Sequence, residues 1–96
     1  MRPSVALNKN AAAIRDMVKR FQLDNPRVFG SVLHGTDREG SDLDLLVDAL
    51  PNTTLFDLGG LQYELESLLG VGVDLLTPED LPKDFRFQVI QEARPI

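Results

Sequence analysis

The segment from Asp42 to Val47 constrains this chain most, because its residues alternate: Leu43, Leu45 and Val47 fall on one side, Asp42, Asp44 and Leu46 on the other. A period of two belongs to extended backbone, where successive side chains point to opposite faces. The segment is therefore a strand with one apolar side to be covered by another layer. Its other side carries two carboxylates that share a face.

The segments around it switch to helical spacing. Ile14, Met17, Val18 and Phe21 recur at i, i+3, i+4 and i+7, which predicts a helix from about residue 10, capped by Asn10, to about residue 23. The Asp24-Asn25-Pro26 cluster is expected to break it, and Arg27-Val28-Phe29 to form a short buried strand ending at Gly30. Ser31 to His34 then make one or two helical turns before the polar loop 35–41. Thr54 with Asp57 resembles a capping box ahead of the stripe Leu58, Leu61, Leu65, Leu68 and Leu69, which stops at Gly70. Gly59 and Gly60 weaken that helix's first turn. Val71, Val73 and Leu75 predict a third strand with Asp74 on its less apolar side. Thr77-Pro78-Glu79-Asp80 begins another helix or turn, and Phe85, Val89 and Ile90 carry a helical pattern to about Ala93 before Pro95. Helices alternating with strands in this way predict an α/β fold, a small sheet flanked by helices.

A chain of 96 residues suffices for one hydrophobic core, so one domain spanning residues 1–96 is expected. No apolar run approaches the roughly 20 residues needed to cross a bilayer, and the N-terminus lacks the apolar core of a secretory signal. With no cysteine there are neither disulfides nor thiolate metal sites, and a cytoplasmic location is expected. The formal net charge of −5 argues against nonspecific binding to nucleic acid, which rests on many cationic contacts to phosphate. It suits a basic protein partner, or a substrate arriving as its magnesium complex.

Three aspartates are candidates for chemistry. Carboxylates held 4 Å apart repel by about 1 kcal/mol in bulk water and about 4 kcal/mol at an effective dielectric of 20, so a fold that gathers them needs a cation or raised pKa values. Oxygen-only ligands suit magnesium or manganese, which complete their shells with water and substrate phosphates. Two such ions roughly 3.5 to 4 Å apart serve in-line displacement at phosphorus. Taken alone, Asp42 and Asp44 read rather as the solvated side of an edge strand, Asp74 more so, and Gly30-Ser31 as an ordinary turn or cap.

The combination is more specific. Gly30-Ser31, a ten-residue spacer, Asp42-Leu43-Asp44 and the later Val73-Asp74-Leu75-Leu76-Thr77-Pro78-Glu79-Asp80-Leu81 resemble the DNA polymerase beta-like nucleotidyltransferase superfamily, and within it the minimal nucleotidyltransferase group. The resemblance runs from about Ala13 to Ile96 and is densest over residues 29–47. It implies a small mixed sheet flanked by helices, with Gly30 and Ser31 holding the phosphates of ATP at the start of a short helix. It also implies that Asp42, Asp44 and Asp74 are the catalytic and metal-ligating carboxylates for two magnesium ions, with Asp74 helping to deprotonate the acceptor hydroxyl. Relatives commonly carry arginines after the Gly-Ser pair, where this chain has Val32, Leu33 and His34. His34 is then a phosphate-facing candidate, or a half-exposed helix histidine.

Members of the resembled group often pair, as antitoxins, with HEPN-domain ribonuclease toxins, and some transfer AMP from ATP to a toxin tyrosine. The resemblance therefore implies a hetero-oligomer with such a toxin and protein AMPylation as the activity. The alternatives are neutralisation by binding alone and, ranked last, transfer to a small molecule, for which no acceptor-binding segment is present. Leu33, Phe56, Tyr63 and Phe87 are candidates for an interface or for the core.

Overall fold

Four strands form a single sheet in the order β3-β2-β1-β4 in the computed structural model, which describes residues 1–96. β1 (Leu23–Phe29) lies antiparallel to β2 (Leu43–Ala49), β3 (Val73–Leu76) pairs parallel with β2, and β4 (Arg94–Pro95) adds an antiparallel edge to β1. The sheet is thus mixed. Four helices accompany it: α1 (Pro3–Arg20), α2 (Gly30–His34), α3 (Leu55–Leu69) and α4 (Lys83–Glu92), with a 3-10 turn at Pro78–Asp80.

The core sits on one face of the sheet. Leu43, Leu45 and Val47, the apolar side read from the alternation of β2, meet Ile14 and Val18 of α1 and Leu61, Leu65 and Leu69 of α3 in one buried cluster. Leu46, on the other side of β2, is fully buried as well, and the 3-10 turn packs against this strand. Asp44 and Asp48, on either side of Leu46, are the half-buried positions of that second side, and Asp48 is paired with Arg27.

Caps set the helix boundaries. In α3, Thr54 N donates to Asp57 Oδ2 at 2.8 Å while Asp57 N donates to Thr54 Oγ1 at 3.2 Å, the reciprocal box that the sequence predicts. The helix ends at Gly70, whose φ of +70° closes its last turn. Gly59 and Gly60 do not break α3. A Cβ on Gly60 would stand 2.7 Å from the Phe21 ring, so this glycine lets α1 and α3 approach.

Three expectations need correction. α1 begins at Pro3 rather than near residue 10, burying Ala6 and Leu7; Asn10, with φ −127° and ψ 18°, is a kink inside it, its amide donating to Ala6 O at 2.9 Å. The cap for the earlier start comes from far along the chain, since Ser4 N donates to the buried Asp37 carboxylate at 2.8 Å. That bond, near the positive end of the helix dipole, holds the Asp37 carboxyl below its ordinary range. Second, β1 starts at Leu23, so Asn25-Pro26 forms a bulge inside the strand, with Asn25 at φ +53° and Arg27 NH2 on Asp48 Oδ1 at 2.5 Å. Third, Arg94-Pro95 pairs with β1 as a strand, where the sequence predicts only the end of a helical pattern at about Ala93.

Candidate active site

The antiparallel and parallel pairings of β2 meet at Asp44. Asp44 stands opposite Phe29, the last residue of β1, and beside Asp74 in the parallel register with β3. Residues paired in register share a face, so two carboxylates on different strands are placed side by side by backbone hydrogen bonding alone. The chain leaves β1 directly into Gly30, whose φ of +71° turns it into α2. The Asp44 carboxylate lies over Gly30: a Cβ built there would stand 3.0 Å from Asp44 Cγ and closer still to Oδ2. Gly30 is therefore required twice, by its dihedral and by its neighbour.

Asp42 immediately precedes β2 and is exposed, as is Asp74. Asp44 is half-buried, and burial raises its pKa from 3.8 to about 6, with the charges of Asp74 and Asp42 adding to the rise. The three aspartates are thus gathered into one electrostatic neighbourhood at the end of the sheet where α2 begins. Ser31 lies in the first turn of α2, adjoining it, and Thr36 N returns to Ser31 O at 2.9 Å to close the helix.

The donor set fits a hard divalent cation, being oxygen-only and carrying excess negative charge on a partly desolvated carboxylate. No three acidic or histidine side chains stand close enough to enclose an ion by themselves. Magnesium does not need such a cage, because it keeps several waters and takes further ligands from substrate phosphates.

His34 sits at the far end of α2 from Gly30, with Nε2 3.5 Å from Glu92 Oε2 of α4. It lines a shallow groove of about 430 Å³ with Leu33, Gln91, Glu92, Ala93 and Arg94. The acid it faces belongs to the C-terminal segment of the chain. A larger depression of about 550 Å³ is formed by Ala13, Asp16, Met17, Lys19 and Arg20. It belongs to the half of α1 that leads into the start of β1, the opposite end of that strand from Gly30.

The sequence reading missed one member of the site. Gly72, just ahead of β3, carries the Asp42 carboxylate against its Cα. A glycine inside the alternating run Val71-Gly72-Val73 was the available signal, since glycine in a strand pattern marks close approach.

Residues 12–96 match the family model described as the nucleotidyltransferase domain. The chain belongs to that family. The nucleotidyltransferase domain is 35% identical, over 82% of its length and 80% of the relative's, to a Thermococcus cleftensis protein named protein adenylyltransferase MntA. It superposes with a TM-score of 0.87 on the solved structure of a minimal nucleotidyltransferase, at 41% identity over 97% of this chain and 95% of the other. A crystal structure of a toxin-antitoxin with AMP-PNP matches with a TM-score of 0.75 and 25% identity, covering 90% of this chain and 71% of that one. The minimal nucleotidyltransferase resemblance drawn from Gly30 to Asp44 and from Asp74 is borne out, and so is the mixed α/β fold it implied.

Proposed function

We propose that this nucleotidyltransferase transfers AMP from ATP to a tyrosine hydroxyl of a HEPN-domain ribonuclease toxin, and so acts as the antitoxin of that pair in the cytoplasm. The observation that carries the reading is Asp44, wedged between Gly30 and Asp74 with its proton affinity raised. Sequestering negative charge at such a cost serves no packing purpose, and it suits a cationic ligand. The protein adenylyltransferase name of the Thermococcus cleftensis relative and the toxin-antitoxin with AMP-PNP supply the direction for the acceptor. No helix is long and apolar enough to cross a membrane.

In this mechanism the backbone at Gly30 and Ser31 receives the phosphates of ATP where α2 begins. Asp42 and Asp44 would hold magnesium, which neutralises phosphate charge and stabilises the leaving oxygen. Asp74, exposed at the rim and in register with Asp44, accepts the proton of the acceptor hydroxyl. The hydroxyl oxygen forms a bond to the α-phosphorus as the bond from that phosphorus to the bridging oxygen breaks, and pyrophosphate leaves with the electron pair. The net charge of −5 favours encounter with a basic, RNA-cleaving protein.

Intact mass spectrometry of the partner toxin, after incubation with the chain, magnesium and ATP, tests the reading. One or more AMP units on the toxin, absent with Asp42→Asn/Asp44→Asn, is the expected result. An unchanged toxin mass together with sustained neutralisation would replace it with inhibition by binding alone.

A further inference from the structure

The geometry points to Gly72 as a positioning residue for Asp42: its missing side chain opens the space in which that carboxylate rests beside Asp44. A Cβ built at residue 72 would stand 3.2 Å from Asp42 Cγ and closer than 3.0 Å to Oδ1, an overlap that real Cβ atoms do not show. Something must then move, and the free element is the exposed Asp42 side chain. The backbone is less able to shift, because Leu43 N donates to Gly72 O at 2.8 Å and Leu43 is in register with Val73 at the start of the β2–β3 ladder.

The conformational reason for glycine does not apply at this position. Gly30, Gly35, Gly40 and Gly70 have positive φ, and Gly72 does not. Its φ lies outside the left-handed range, so the difference that an alanine makes here is the volume it places against Asp42. Gly72 thus does for Asp42 what Gly30 does for Asp44, and the two glycines together fix where the two carboxylates lie. A residue that orients a metal ligand in this way typically affects metal affinity by about 10- to 100-fold.

The inference rests on the reading of Asp42 as a metal ligand, and a double-mutant cycle separates the two. Mn2+ uptake in the presence of AMP-PNP, followed by equilibrium dialysis, is compared for the wild type, Gly72→Ala, Asp42→Asn and the double variant. Gly59→Ala serves as control, because a Cβ there meets nothing within 4 Å. Gly72→Ala is expected to weaken Mn2+ binding by about tenfold, with no further loss when added to Asp42→Asn. Normal wild-type binding left unchanged by Gly72→Ala, or an equal loss in the Asp42→Asn background, overturns the role of Gly72 alone. Absence of Mn2+ uptake by the wild type overturns the metal reading, and this role with it. Should Gly72→Ala not fold, Asp42→Ala/Gly72→Ala, which has no carboxylate to displace, is expected to fold; a double variant that stays unfolded overturns the contact itself.

Discussion

Asp44 is under strain of an electrostatic kind, and its protonation should be visible in stability. Its folded-state pKa lies above the ordinary carboxylate value, raised from 3.8 to about 6 by burial and then by Asp74 and Asp42. Between these two values the folded chain holds a proton that the unfolded chain has lost, so stability falls as pH rises through this window and stays reduced above it. Asp44→Asn removes the charge and keeps the shape. Without metal at pH 7 the variant should melt higher than the wild type by about 4 °C, and the difference should vanish toward pH 4. Thermal melts of both proteins across that range check it, and a variant less stable at pH 7 would show that Asp44 is held by favourable partners instead. The pairing of Asp42 with Asp44 was legible because two residues apart on a strand means one face. The place of Asp74 beside them followed from family resemblance, since no local pattern states which strands will be parallel neighbours. Gly72 escaped because its use depends on a carboxylate thirty positions earlier in the chain.

Local chemistry announces itself best in the elements. The Thr54–Asp57 box and the Gly70 stop of α3 were readable because both partners of each cap lie within one turn. The start of α1 was not, because its cap is Asp37, and β4 was not, because two residues carry no period. The glycine pair in α3 offers a contrast between propensity and packing. Gly59 faces open space, so Gly59→Ala should stabilise the fold by about 0.5–1 kcal/mol, the helix-propensity difference. Gly60→Ala gains the same propensity but drives a methyl to 2.7 Å from Phe21 Cε1, in a ring packed against the core. Overpacking of this kind costs about 1–3 kcal/mol, so the net change should be destabilising. Chemical denaturation of the two variants measures both signs. Equal stabilisation by both would mean that the α1–α3 contact yields freely.

At the level of the whole molecule, stability is distributed unevenly in a way that the topology dictates. β2 is the hinge of the architecture: it is central in the sheet, bonded on both edges, and Leu43, Leu45, Leu46 and Val47 are fully buried. The order β3-β2-β1-β4 requires the chain to travel from one edge of the sheet to the other after β3, and α4 makes that crossing. α4 buries none of its residues; Phe85 and Phe87 are 58% and 75% exposed. It is tethered chiefly by polar contacts, with Arg86 NH2 on the carbonyls of Glu79 and Leu81, both at 3.0 Å, and with Glu92 facing His34. Burial of apolar area is the main favourable term in folding, so an element without it opens at a small fraction of the global free energy. Hydrogen exchange on the isolated chain should therefore show amides of α4 exchanging through local opening, while those of Leu43 to Val47 exchange only with global unfolding. Adding denaturant should accelerate the β2 amides steeply and leave α4 nearly unaffected, because local opening exposes little new surface. If α4 amides instead matched β2 in both rate and denaturant dependence, the C-terminal crossing would be an integral part of the cooperative unit. Polar contacts and a two-residue strand would then stabilise far more than their size implies.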